Sequence, residues 1–161
     1  MRITGGAARG IILDVPQRSE VRPATDFTRE RIFNCIGPLI KNAIVLDCFA
    51  GTGAYGLEAL SRNAQKCLFV EQDLNVITVL KSNCIKVCKS AQRLVEASVN
   101  IFNIDVFKLN LDKIEGIDYL FFDPPYRFWE TSRNKIFDFF NRIANVSPKT
   151  VLALEYPSQF I

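Results

Sequence analysis

Val45-Leu46-Asp47-Cys48-Phe49-Ala50-Gly51-Thr52-Gly53-Ala54-Tyr55-Gly56 decides the fold. An apolar run ending in an acid is followed at once by Gly-x-Gly-x-x-Gly, the pattern of a strand that turns tightly into a helix. The glycines permit the turn, a close approach of the backbone to a ligand, and close packing of helix on sheet. Taken alone, this spacing would serve a dinucleotide equally well. Asp47, just ahead of the turn, is placed to receive an ammonium group, which favours a ligand that carries an amino acid. Phe49, Gly51 and Gly53 are the candidate contacts within the turn itself.

Strand and helix alternate outward from this unit. The spacing predicts strands over 43–48, 67–71, 99–104, 117–122 and 150–155, and helices over 54–62, 74–88 and 134–143. The helix at 74–88 carries apolar residues at 74, 77, 80, 84, 85 and 88, which draws one buried stripe. The strand at 117–122 is apolar at nearly every position, as strands covered on both faces are. The expected fold is therefore α/β, a Rossmann-like, doubly wound and mostly parallel sheet with right-handed crossovers and ligands at the carboxyl ends of its strands. Ahead of it, residues 1–15 read as a small β-hairpin around Gly5-Gly6, and Thr25 as the cap of a helix that Gly37-Pro38 stops.

Further acids close the other strands. Glu71 lies 24 residues after Asp47 at the end of the second strand, where a carboxylate accepts from both ribose hydroxyls and excludes a 2′-phosphate. Asp73 reads as the cap of the next helix. Asp105 closes the third strand and is either a loop residue or an acceptor for an adenine amino group. Phe121-Phe122-Asp123-Pro124-Pro125-Tyr126 follows the fourth. Two prolines fix the backbone and remove two donors, so Asp123 and the Pro124 carbonyl form a pair of acceptors beside the aromatic face of Tyr126. Such a site suits a planar base with an exocyclic amine, whose two N–H groups meet the acceptors while the ring stacks on tyrosine. Accepting both protons favours a pyramidal nitrogen with its lone pair aimed at an electrophile.

The 161 residues suit one domain, are 48% hydrophobic and contain no histidine, which excludes Ser-His-Asp and Cys-His catalysis and His-ligated metal. No metal is expected. The net charge of +3 lies wholly in residues 1–42, where seven basic side chains, six of them arginine, face four acids. Arginine suits bidentate phosphate contacts, although a solvated face would look the same. The five cysteines hold no C-x-x-C, and Cys35, Cys48 and Cys67 sit in apolar runs, so buried free thiols are expected. No leader peptide or membrane-length apolar run is evident, and the expectation is a cytoplasmic, soluble protein.

Together these residues resemble the class I S-adenosylmethionine-dependent methyltransferases, and Asp-Pro-Pro-Tyr resembles the motif of those that methylate amino nitrogens. Arg2-Ile3-Thr4-Gly5-Gly6, Arg9-Gly10, Val15-Pro16, Arg22-Pro23-Ala24-Thr25-Asp26 and Arg29-Glu30-Arg31-Ile32-Phe33-Asn34 are similar to the signature of the RsmD family of 16S rRNA guanine-N2 methyltransferases. The resemblance implies transfer of methyl from S-adenosylmethionine to N2 of one guanine, on an assembled or assembling small ribosomal subunit. It puts the cofactor on Asp47, Gly51, Gly53, Glu71 and Asp105 and the target base on Asp123, Pro124 and Tyr126. Thr25 and Arg29 would close over the methionine end, and Arg2, Arg9 and Arg22 would meet RNA. Tyr126 stands where many members carry Phe. The chain stops at Ile161, where members continue into an antiparallel pair of strands, so a single domain is expected with residues 1–42 as a basic extension, 43–161 as the catalytic core, and those strands missing. An unpaired edge would invite association; a monomer is nonetheless expected.

Two other readings use the same motifs. A DNA adenine-N6 methyltransferase also carries Asp-Pro-Pro-Tyr but usually needs a separate target-recognition region. A cofactor-binding RNA or assembly factor without turnover would need only the cofactor turn. A nicotinamide-dependent reductase has no use for Asp-Pro-Pro-Tyr.

Overall fold

The computed structural model describes residues 1–16, 25–114 and 116–156. Five strands, β1 (Ile44–Cys48), β2 (Lys66–Glu71), β3 (Val99–Asn103), β4 (Tyr119–Phe122) and β5 (Val151–Leu154), form one sheet in the order β3-β2-β1-β4-β5. Every pairing is parallel; Val45 lies beside both Cys67 and Tyr119, and Phe122 beside Leu154. Helices α1 (Asp26–Ile36), α2 (Ala54–Ser61), α3 (Leu74–Ser90), α4 (Val95–Ser98), α5 (Arg127–Thr131) and α6 (Arg133–Val146) complete the fold. The chain runs outward from β1 through β2 to β3, then returns to the far side of β1 as β4. The carboxyl ends of β1 and β4 therefore flank the switch point of the winding, where open α/β sheets place their ligands.

Two apolar layers account for this arrangement. Val45, Cys67, Phe69, Tyr119 and Phe121 point to one face and pack with Leu57 and Leu80 from α2 and α3. Leu46, Cys48, Leu68, Val70, Leu120 and Phe122 point to the other and pack with Trp129, Ile136, Phe139 and Ile143 from α5 and α6. Along β1, β2 and β4 the alternating side chains are buried on both sides, as continuous apolar runs require.

The N-terminal segment folds back on itself as the expected hairpin, with a minimal ladder. It makes one antiparallel bridge, Arg2 with Ile12, supported by bonds from Ile3 N to Ile11 O and from Gly10 N to Ile3 O, each 2.9 Å. The arm is short of strand pairing because its amides go to α2 instead. Thr4 N and Gly5 N donate to Glu58 at 2.8 Å, Ala7 N to Ser61 O at 2.8 Å, and Ala8 N to Ser61 Oγ at 2.9 Å. Glu58 is fully buried and also accepts from Arg62 Nε at 2.8 Å. Asn83 of α3 is equally buried; it accepts from Asp14 N and donates to the Asp14 and Thr52 carbonyls. Ile3, Ala8, Leu13 and Phe33 share the core layer of α2 and α3.

Two expectations of burial are corrected. Cys35 is exposed, while Cys48, Cys67, Cys84 and Cys88 are buried and free. Helix α1 buries only Arg29 and Phe33, four residues apart on one face, and Cys35 turns away from them. On α3 the buried stripe is 77, 80, 83, 84, 87 and 88; Leu74 and Ile85 face outward, and a hydrogen-bonded Asn83 takes a place the apolar count passed over. At the edge, β5 pairs only with β4 among the described residues and exposes Val151 and Leu152.

Candidate active site

The turn after β1 is built by two glycines whose hydrogen atoms cannot be replaced cheaply. Gly53 caps α2 at φ 85°, and a Cβ there would lie 2.5 Å from Leu80 Cδ1. A Cβ on Gly56 would lie 2.3 Å from Cys67 Sγ and 2.4 Å from Phe69 Cε1, so helix and strand touch backbone to side chain. Phe49 takes a positive φ of 58° and is held by edge contacts to Phe107, Phe122 and Phe128 with centroids 5.3–6.1 Å apart.

Asp47 is 3% exposed, and its Oδ2 accepts from Gly56 N at 2.8 Å. Burial pushes its carboxyl up to about 8, and the nearby charges of Asp123 and Glu71 add to the effect against the Gly56 bond. Among the described residues nothing donates to Oδ1. At the end of β2, Glu71 Oε2 accepts from Gly51 N at 3.0 Å, and Oε1 from Gln72 N and Asp73 N at 2.8 and 3.0 Å. A carboxylate offers about four acceptor sites, so one remains here, and a ribose using both hydroxyls has to displace one amide. Asp73 caps α3. Asp105 is half-buried and accepts from Phe107 N at 3.0 Å, capping a single 3₁₀ turn, Val106–Lys108.

Asp123, half-buried, follows β4. Burial pushes its carboxyl up to about 7, and the charge of Glu155 pushes in the same direction. Pro124 is buried, and nothing among the described residues donates to its carbonyl, whereas the Pro125 and Tyr126 carbonyls accept from Phe128 and Trp129 as α5 begins. Tyr126 is 55% exposed. The acceptor pair and the aromatic face read from the sequence thus sit at the switch point beside Asp47.

Two residues here were not anticipated. Tyr55 donates its hydroxyl to Glu155 Oε1 at 2.6 Å, and its ring stacks on Phe121 at 5.0 Å and 12°. Burial and Glu155 push the phenol above its ordinary value. Glu155 follows β5 directly, and its amide donates to Phe122 O at 3.1 Å. The rule that singled out Glu71 and Asp123, an acid at a strand end, would have found Glu155 as well. No local signal marks Tyr55, which reads as a core position of a helix.

Asp47, Glu71, Asp123 and Glu155 thus gather at the carboxyl ends of four strands, and among the described residues no ion pair reaches any of them. Four carboxylates without an ion-pair partner, two of them, Asp47 and Asp123, pushed upward by burial, suit a ligand that brings positive charge.

The remaining candidates lie at the arm. Thr25 caps α1, its Oγ1 accepting from Thr28 N at 3.2 Å. Arg29 is fully buried; its Nη2 donates to Arg2 O at 2.5 Å and to Asp26 Oδ1 at 2.7 Å, so its guanidinium joins helix to arm. Arg2 and Arg9 are exposed, Arg2 with Nε 3.5 Å from Asp26. Arg22 lies outside the described residues. Among the described residues no three His, Cys, Asp or Glu are disposed to hold a metal, and no helix is long and apolar enough to cross a membrane.

A family profile described as Conserved hypothetical protein 95 matches residues 1–160. Ribosomal RNA small subunit methyltransferase D of Escherichia coli (strain K12) is 39% identical over 127 residues, which cover 79% of this chain and 61% of that protein. The protein of the same name from Haemophilus influenzae is 38% identical over 129 residues, 80% of this chain and 65% of that one. The chain thus spans less than two thirds of the length of these curated relatives. Among solved structures, yhhF of Escherichia coli matches with a TM-score of 0.73 and 31% identity over 97% of this chain and 80% of that one. A hypothetical protein of Thermus thermophilus, 24% identical with a TM-score of 0.73, shares the fold over 99% of this chain and 87% of its own.

Proposed function

We propose that this chain, which belongs to the RsmD family matched as Conserved hypothetical protein 95, methylates the exocyclic N2 amine of a guanine in small-subunit (16S) rRNA. Its fold is that of the class I methyltransferases, whose cofactor is of the S-adenosylmethionine type. The observation that carries the reading is the juxtaposition of Asp123 and the Pro124 carbonyl with Asp47 and the glycine turn across the β1–β4 switch point.

When bound, S-adenosylmethionine supplies an electrophilic methyl on a sulfonium and an α-ammonium group, the positive charges the acid cluster lacks. Asp47 holds the ammonium through Oδ1 while Oδ2 keeps the Gly56 amide. Gly51 and Gly53 bring backbone against the ligand, with Phe49 walling the turn. Glu71 takes a ribose hydroxyl on its remaining acceptor site, and Asp105 the adenine amine. Tyr126 stacks the target guanine, and Asp123 with Pro124 O accepts its two N2 protons, turning the lone pair outward. Methylation by the bound cofactor, which would leave as the neutral thioether, would oblige N2 of the guanine to shed a proton. Asp123, whose carboxyl burial pushes up to about 7, would receive it.

The partner on this reading is the rRNA or the assembling subunit, in the cytoplasm, met by Arg2, Arg9 and Arg22 of the extension at 1–42, with 43–161 as the catalytic core and the protein acting as a monomer. Thr25, at the start of α1, closes the methionine end; Arg29 serves it indirectly by fixing α1 to the arm. Mass spectrometry of 16S rRNA from cells lacking the gene tests the function. One N2-methylguanine should disappear, and an unchanged modification profile would overturn the proposal.

A further inference from the structure

We infer that Glu155 selects guanine by accepting its N1–H, with Tyr55 holding the carboxylate in place for that contact. The inference rests on the methyl-transfer reading of the same site and adds to it the reason one purine is taken and another refused.

The geometry begins with the sheet. Phe122 and Leu154 are in register on neighbouring parallel strands, so Asp123 and Glu155 occupy the next positions, side by side and about 4.8 Å apart across the ladder. Both fall on the layer that contains Phe121 and Ala153 by the alternation of the strands, and the Tyr55 bond to Glu155 comes from that same layer. Glu155 carries one methylene more than Asp123 and reaches further from the strand end. Tyr55 takes Oε1 at 2.6 Å, and nothing among the described residues donates to Oε2. The Tyr55 ring is clamped on Phe121, and Gly56 beside it is bonded to Asp47. Two consecutive residues of α2 therefore hold the acids at the ends of β1 and β5, with Asp123 on the strand between them.

Base chemistry supplies the rest. Guanine presents N1–H and N2–H₂ side by side, three donors along one edge. Asp123 and the Pro124 carbonyl use two of them; the third needs a neighbouring acceptor, and the one the structure places next to Asp123 is Glu155. Adenine and 2-aminopurine carry a lone pair at N1 instead. A fixed carboxylate repels it and is left without a donor, which is how a polar site rejects an analogue that lacks one N–H. Because 2-aminopurine keeps the exocyclic 2-amine, it isolates the N1 contact from the amine contacts.

Small subunits assembled in vitro carry either guanine or 2-aminopurine at the position the enzyme labels, and kcat/KM is measured for wild type, E155Q and Y55F, with cofactor affinity measured by calorimetry. Wild type should prefer guanine by about a hundredfold or more. E155Q, whose amide can donate to the N1 lone pair, should shrink that preference at least tenfold at unchanged cofactor affinity. Y55F should raise KM for the subunit severalfold and leave the preference for guanine in the same direction. Equal use of both bases by wild type, or an undiminished preference in E155Q, would overturn the role of Glu155 while leaving the methyltransferase intact. Failure of wild type to methylate guanine at all would instead remove the proposed function, and this inference with it.

Discussion

Gly56 donates its amide to Oδ2 of Asp47 at 2.8 Å, so the acid ending β1 is bound to the first turn of the helix that the glycine motif opens. Motif and acid are one unit: the third glycine, which lets α2 rest on Cys67 and Phe69, also supplies the bond that orients the carboxylate.

That unit has a pH signature. Asp47 is raised from 3.8 to about 8, so between those values the folded chain holds a proton that the unfolded chain has released. Its contribution to stability is fully present below about 4 and is lost as pH rises through about 8. Urea midpoints of the ligand-free protein should fall from about pH 5 to about pH 8, and Asp47→Asn, which can still accept from Gly56, should flatten the fall.

Cofactor binding should run the other way. With the ammonium received by ionised Asp47, affinity strengthens by roughly tenfold for each pH unit gained on the approach to about 8. Calorimetry with S-adenosylmethionine at several pH values checks this, and a flat profile in wild type would remove Asp47 from the contact.

Asp123→Ala should abolish methyl transfer while cofactor affinity changes little, and Glu71→Ala should chiefly weaken cofactor binding. The second effect has a structural component, because Glu71 also holds the Gly51 amide of the turn. Equal loss of cofactor affinity in the two variants would contradict the division of labour.

Glu58 anchors the arm, accepting from Thr4, Gly5 and Arg62 inside the fold. Glu58→Ala should cost roughly 3 kcal/mol, since it leaves buried donors and a cation unpaired. Denaturant unfolding measures it. Arg2→Ala and Arg9→Ala, both at the surface, should leave stability nearly unchanged and instead flatten the salt dependence of RNA affinity by about 0.7 to 0.9 log units per lost phosphate contact.

How much of this could be read in the chain depends on the range of the interactions. Strands such as Tyr119–Phe122, buried on both faces, announce themselves by unbroken apolar character, and Asp-Pro-Pro-Tyr declares its acceptors because proline chemistry is local. The Tyr55–Glu155 bond joins residues 100 apart and depends on β4 and β5 lying beyond β1, which no window of sequence reveals. Arg29 has the look of a ligand-facing cation at a helix start; only the fold shows that the Arg2 carbonyl and Asp26 enclose it. The N-terminal hairpin shrinks to a single bridge for the same reason, since its amides are claimed by Glu58 and Ser61 on α2.

The most direct test of the account incubates the protein with methyl-labelled S-adenosylmethionine and small subunits that lack the modification, then digests the RNA to nucleosides. The account predicts label in N2-methylguanosine with wild type and none with Asp123→Ala. Label on adenine or on DNA, or transfer that survives the loss of Asp123, would contradict it.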